Sequence, residues 1–215
     1  MEYIVKRLPN EVKPIVFDGE FTPETMPEAF RNLNEAEIAL YPWTDKYPDT
    51  FKAFARVGWN ESGLIVLMYA DENPILKNVT QISTRQCTDS CMEFFFIPQP
   101  EKDEGYMNIE INAGGVPYVG FGAGRGTRVR FYELVPGMDI SASEHKGKYW
   151  AISYRIPVTF TQELCGFAPA SGMKMKGNFY KCSENIHPHF GTWNPVVAPK
   201  PDFHRPECFG DLVLE

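Results

Sequence analysis

Long apolar runs are missing from this chain. No stretch reaches the roughly 18 consecutive apolar residues that a membrane-spanning helix needs, and the N-terminal MEYIVKRLPN has no apolar leader core. Positive charge is also scarce. The formal net charge is −7, which argues against a nucleic-acid partner, because a phosphate backbone is held by a basic footprint. The one basic cluster, Arg125, Arg128 and Arg130, is too short to reverse that and reads as the solvated face of a strand. Cysteine is sparse and odd in number. The five stand at 87, 91, 165, 182 and 208, and their spacing matches neither a zinc site nor a disulfide framework. Reduced, buried thiols are expected, and with no leader a cytoplasmic location. There is no internal repeat, no low-complexity segment and no linker-like shift of composition. A single domain over 1–215 is expected, with 1–40 as an irregular segment packed on it.

What the chain has in quantity is ring and turn chemistry. Aromatics make up 14% and there are 18 prolines, a mixture that favours strands and turns over helices. Arg56–Trp59 and Gly63–Tyr69 flank Asn60-Glu61-Ser62 and read as a hairpin. The second of these runs is apolar on both faces, as a covered strand would be. Cys91–Ile97 and Tyr106–Asn112 read as two more strands joined by the polar loop Pro98–Gly105. Further strands are expected at Val116–Phe121, Thr127–Leu134, Tyr149–Ile156, Asn178–Cys182 and Asp211–Leu214. Thr22-Pro23 predicts a helix over Glu24–Leu33. Thr159 with Gln162 predicts a capped helix over Thr159–Cys165, stopped by Gly166. The glycines from Gly114 to Gly126 fit a turn between strands, not a phosphate loop, because no helix follows them. Many short strands at this spacing predict an all-β fold, an antiparallel β-sandwich or an open barrel.

Side chains alternate across a strand. Met92, Phe94 and Phe96 therefore share one face with Met107, Ile109 and Ile111, since any other pairing would leave large apolar groups in water. Glu93 then joins Asn108, Glu110 and Asn112 on the opposite face, beside Phe95. Two carboxylates and two amides make a floor that both donates and accepts hydrogen bonds, which is what sugar hydroxyls require. The plain alternative is a solvated sheet face. Trp59 and Trp150 lie in apolar runs and are expected in the core. Trp43 and Trp193 lie among turn formers, where rings are free to meet a ligand.

Four runs carry a resemblance: Asp89–Phe96, Asn178–Cys182, His187–Trp193 and Pro201–Gly210. They resemble family 9 carbohydrate-binding modules, and more closely the stand-alone family 9-like proteins of bacteria. The resemblance covers about residues 40–215. It implies a β-sandwich of the jelly-roll or DOMON-like kind that binds a mono- or oligosaccharide between two tryptophans, with polar side chains assisting and structural calcium common. Carried over, Trp193 and Trp43 are the clamp walls, and Arg85, Glu93 and Asn178 the polar partners. Glu110, Asn112 and a rim histidine, His189, complete the expected site.

Two rival readings remain open here. Glu93 and Glu110 could be the carboxyl pair of a glycosidase. His187, His189, Met173 and Met175 could supply the axial ligands of a haem protein. Cys182, His187, His189 and His204 match known zinc spacings poorly. Asp18, Glu20, Asp45, Asp49, Asp71 and Asp89 show no calcium-loop spacing, so calcium rests on the resemblance alone.

Overall fold

The run Gly63–Tyr69 is apolar on both faces because both faces of its strand are covered. Leu64, Val66, Met68 and Ala70 point into the main core, and Ile65, Leu67 and Tyr69 point into a second apolar cluster behind it. The computed structural model describes residues 1–103, 105–145 and 147–215, so Glu104 of the Pro98–Gly105 loop lies outside the described residues. The strands are β1 (Glu2–Arg7), β2 (Ala36–Glu37), β3 (Ala53–Asn60), β4 (Gly63–Asp71), β5 (Cys91–Ile97), β6 (Tyr106–Asn112) and β7 (Pro117–Gly122). They continue with β8 (Val129–Phe131), β9 (Ser141–His145), β10 (Tyr149–Pro157), β11 (Lys174–Ser183), β12 (His189–Thr192) and β13 (Gly210–Leu214).

Hydrogen bonding runs in the order β8-β7-β6-β5-β11-β13-β1-β3-β4-β10-β9. The path bends at β1. Its first half pairs with β13 and its last two residues pair with β3, both in parallel. The result is a front sheet, β8 to β13, and a back sheet, β3 to β9, joined through β1. The expected antiparallel sandwich is therefore formed, but as a mixed sheet, because β1 is parallel to both neighbours.

The inner faces of the two sheets meet in the main core. Met92, Phe94, Phe96 and Phe179 come from the front, and Val57, Val66, Trp150 and Ile152 from the back. Behind the back sheet, Leu8, Phe21, Met26, Phe30 and Leu33 cover Ile65, Leu67 and Tyr69. In front of the front sheet, Trp43, Val196, Phe203 and Phe209 cover Phe95, Tyr106 and Tyr180. Covering both outer faces this way explains why a chain with only short helices buries so many rings.

Both expected helices differ in detail. Glu24–Leu33 is not one helix. A 3-10 turn over Pro23–Thr25, capped reciprocally by Thr22 and Thr25, is followed by α1 (Glu28–Arg31). Pro27 separates them, because the residue before a proline is pushed out of the helical region, and Met26 has ψ 130°. The second helix, α2, spans Val158–Cys165 with Pro157 at its start and no side-chain cap. Thr159 lies inside it, so the Thr159–Gln162 box is not formed. Gly166 does end the helix, in the left-handed conformation at φ 68°. No helix among the described residues is long and apolar enough to cross a membrane.

Candidate functional site

The register of the front sheet assembles the site. Tyr118 on β7 is opposite Glu110 on β6, Glu110 is opposite Glu93 on β5, and Glu93 is opposite Tyr180 on β11. These four side chains form one row across four strands, on the face turned away from the main core. In the next row Asn108 stands opposite Phe95. The polar floor read from alternation is thus present. It is not a solvated face. Glu93 is 3% exposed, Glu110 7% and Asn108 0%. The segment carrying Phe203 arches over the floor, and Phe203 stacks on Tyr180 with ring centroids 4.1 Å apart. Between this arch and Tyr118 lies a cavity of about 280 Å³.

Burial sets the chemistry of the floor. Removal from water raises both carboxyls, and the Glu110 charge raises Glu93 further. Glu93 stands well above the usual carboxylate range, and Glu110 is pushed up to about 7 despite the Arg128 charge nearby. Asn108 Nδ2 donates to Glu110 Oε1 at 2.9 Å, and the Cys182 thiol donates to Glu93 Oε1 at 3.2 Å. Burial thus favours the protonated form of Glu93, which donates as well as accepts.

One wall is cationic. Arg128 Nε donates to the Tyr118 hydroxyl at 2.8 Å, and its guanidinium lies 5.0 Å from the Tyr118 ring centroid. Its second contact is the His204 ring, 2.9 Å from Nε2. His204 is driven down to about 3 by burial and by Arg128, because a protonated ring would set its own N–H groups against the guanidinium. Arg130 lies 5.8 Å from the same tyrosine ring. At the rim Arg125 pairs with Asp202 at 3.0 Å and Arg85 with Glu184 at 2.6 Å.

Glycine permits this wall. A Cβ on Gly120 would sit 2.6 Å from Asn108 Oδ1 and 3.2 Å from Arg128 Cδ. Gly122, at φ +158°, would bring a Cβ within 2.7 Å of Arg128 Cα. The glycine run is a strand turn, as expected, and its bareness lets Arg128 fold back over the sheet.

Of the residues expected at the site, Arg85, Glu93 and Glu110 line the cavity. The others do not. Trp193 packs into the main core against Tyr3 and Phe179, with centroids at 6.3 and 5.6 Å. Trp43 belongs to the outer cluster, with its indole N–H on the Ala198 carbonyl at 2.8 Å and its rings against Phe190 and Phe203. The two tryptophans lie on opposite faces of the front sheet, so they cannot be the walls of one slot. Asn178 ties down the chain at Asn194, donating to its carbonyl and accepting from its N–H. Asn112 is consumed by Val79, Asp89, Gly114 and Val116.

His189 belongs to a buried network. Lys181 donates to Glu72 Oε2 at 2.9 Å, to the Cys182 carbonyl at 3.1 Å and to His189 Nε2 at 2.8 Å. The Trp150 indole also donates to Glu72, at 2.7 Å. Burial and the Lys181 charge hold His189 neutral, at about 2. The haem reading fails on the same geometry. Met175 and His189 attach to opposite ends of β11, with His189 opposite Ser183, and eight residues of strand span about 26 Å.

The acidic residues considered for calcium do not gather. Asp49 faces His187, and Asp89 binds Val79 and Asn112. Among the described residues the one group of three metal-capable side chains is Cys91, Glu93 and Cys182, with ligand atoms within 4.8 Å. Two thiols and a carboxyl do not suit calcium, which takes six to eight oxygens.

The family model for carbohydrate-binding family 9 matches residues 21–214. The chain belongs to carbohydrate-binding family 9. That membership bears out the resemblance read from the Asp89–Phe96 and C-terminal runs, and with it a non-catalytic, carbohydrate-binding function. A candidate carbohydrate-binding protein of Bacteroides uniformis is similar over 100% of this chain and 99% of that one, at 25% identity and TM-score 0.80. A family 9 module of Caldicellulosiruptor kristjanssonii, solved with glucose, covers 100% and 96% at 14% identity and TM-score 0.65. The same organism's module with cellotriose covers 100% and 94% at 13% identity and TM-score 0.65. At those identities the last two show a shared fold. A comparison with the curated proteins found no match.

Several residues of the cavity in this family 9 chain escaped the sequence reading. Tyr118, Phe190 and Phe203 are its rings, Arg128 and Arg130 its guanidinium donors, and His204 an imidazole that accepts from Arg128. The arginines were read as a solvated strand face. Alternation offered one usable signal: Tyr118 follows Val116–Phe121 in register with the polar floor. Phe203 and His204 lie in the Pro201–Gly210 run that carries the resemblance, but in irregular chain, where no alternation tells which way a side chain points.

Proposed function

We propose that this family 9 chain holds its saccharide in the cavity over Glu93 and Glu110, between Tyr118 and the Phe203 arch. The observation that carries this is the cross-strand row Tyr118–Glu110–Glu93–Tyr180. It places two hydrogen-bonding carboxyls between two aromatic surfaces. A sugar ring presents an apolar face to the rings and hydroxyls to the floor. Pockets generally bind this way, with apolar walls and a few placed polar groups. The volume of about 280 Å³ is at the lower end for ligand pockets and suits one or two sugar units. The glucose and cellotriose complexes of solved family members support a saccharide as the ligand class.

Affinity here comes mainly from ring contact, and orientation from the floor. Two raised carboxyls side by side offer hydroxyls both a donor and acceptors. Isothermal titration calorimetry with a panel of monosaccharides and short oligosaccharides tests the assignment. A saturable response in the native chain, weakened tenfold or more by Tyr118→Ala, is the expected result. A response left intact by both Tyr118→Ala and Glu110→Ala would place the saccharide elsewhere.

A further inference from the structure

We infer that the saccharide this cavity selects is an acidic one, carrying a carboxylate or a sulfate ester against the Arg128–Arg130 wall. The inference rests on the site proposed above and adds the ligand's charge.

The cavity gathers arginines in a negative protein. The chain as a whole carries −7. Yet Arg85, Arg125, Arg128 and Arg130 all line this one space. Four carboxyls line it too: Glu93, Glu110, Glu184 and Asp202. Arg85 and Arg125 are matched by Glu184 and Asp202. That leaves Arg128 and Arg130 beside the floor pair Glu93 and Glu110, whose burial disfavours their charged forms. No ion pair joins Arg128 or Arg130 to any carboxylate among the described residues. The partners of Arg128 are a phenol and a neutral imidazole, and Arg130 lies by the Tyr118 ring.

Arg128 is half-buried, and a half-buried cation held by neutral groups is electrostatically unfinished. Its Nε is spent on Tyr118, which fixes the plane of the guanidinium beside the ring. Nη1 is engaged by the His204 ring, so the Nη2 end of the fork is the part left to donate a charge-assisted hydrogen bond to an acid oxygen. A sugar whose apolar face lies on Tyr118 would carry its exocyclic acid group toward that fork. A neutral hexose has only a hydroxymethyl there and leaves the charge unanswered. The His204 ring, kept neutral, adds no competing positive charge but buttresses Arg128 from behind through Tyr106, whose hydroxyl lies 2.7 Å from Nδ1.

Calorimetry with matched pairs tests this in the intact chain: glucuronate against glucose, galacturonate against galactose, and glucose 6-sulfate as the third arm. At low salt at least one acid should bind tenfold or more tightly than its neutral partner, and the arms tell a carboxylate site from a sulfate site. Arg128→Gln should bring the acid-to-neutral affinity ratio close to one. Arg130→Gln is on the surface and folds without difficulty, and it should lower the ratio several-fold. Added salt at 0.5 M should compress the ratio in the native chain as well. If neutral sugars bind and depend on Tyr118 but match or exceed their acids, the charge inference falls and the site assignment stands. If neither acids nor neutral sugars bind the folded chain, both fall.

Discussion

Glu93 and Glu110 face each other directly across β5 and β6, both buried, and among the described residues neither forms an ion pair. Two like charges so placed cannot both ionise cheaply, and the fold keeps a proton between them. Lysine or histidine could have neutralised the pair, yet Asn108 and the Cys182 thiol, both uncharged, are its hydrogen-bond partners. The pair stays available to a ligand because the structure does not consume it.

The pair makes stability fall with rising pH. Glu110 is raised from 4.5 to about 7, so the folded state binds more protons than the unfolded state between those values, and stability present below pH 4.5 is lost as pH rises through 7. Glu110→Gln keeps the acceptor for Asn108 and removes one titration. At pH 8 the variant should be more stable than the native chain by roughly 2–3 kcal/mol, and at pH 4.5 near-equal. Urea titrations at both pH values measure this. Equal offsets at the two pH values would mean the pair is not the source.

Trp193 and Tyr118 should trade the roles that composition suggests. Trp193→Ala removes a ring 6% exposed in the main core and should cost about 3–5 kcal/mol of stability. Tyr118→Ala should cost less stability and most of the saccharide affinity. Thermal unfolding paired with calorimetry separates the two. A Trp193→Phe variant that folds and loses sugar binding while Tyr118→Ala retains it would return the tryptophan to the site.

The Lys181 network holds one end of the sandwich. Lys181 and Glu72 are 0% and 3% exposed in their side chains. Lys181→Met leaves a buried carboxylate facing a histidine and should destabilise the chain by about 3–5 kcal/mol. Adding Glu72→Gln should recover part of that loss. A double-mutant cycle in urea reads the coupling directly, and additive single losses would show that the pair does not interact.

The thiols under the cavity should be inert. Burial pushes Cys91 up to about 12, and the Cys91 contact and burial raise Cys182. Thiolate is the reactive form. In the native chain at pH 8, iodoacetamide should leave both unmodified for hours, and urea should expose them. Mass mapping of the labelled peptides decides it, and rapid native labelling of Cys182 would show the floor open to solvent.

Alternation along β5 and β6 is a property of two residues at a time, so the chain alone determined which side chains share a face. The hairpin of β3 and β4, the acidic pair and its amide neighbour were legible for that reason, as was the family, whose specific runs lie in consecutive residues. Tertiary structure decided the rest. The floor is buried only because Phe203 and Phe209, about a hundred residues downstream, close over it. Trp193 is a core residue only because Phe179 on β11 turns toward the inner face, and Tyr118 is a site residue only because β7 pairs with β6. Arg128 reaches the cavity through the bareness of Gly120 and Gly122, and Lys181 is buried by a glutamate that follows β4. Each of these depends on which distant segment arrives, and burial and charge compensation are properties of that meeting rather than of either segment.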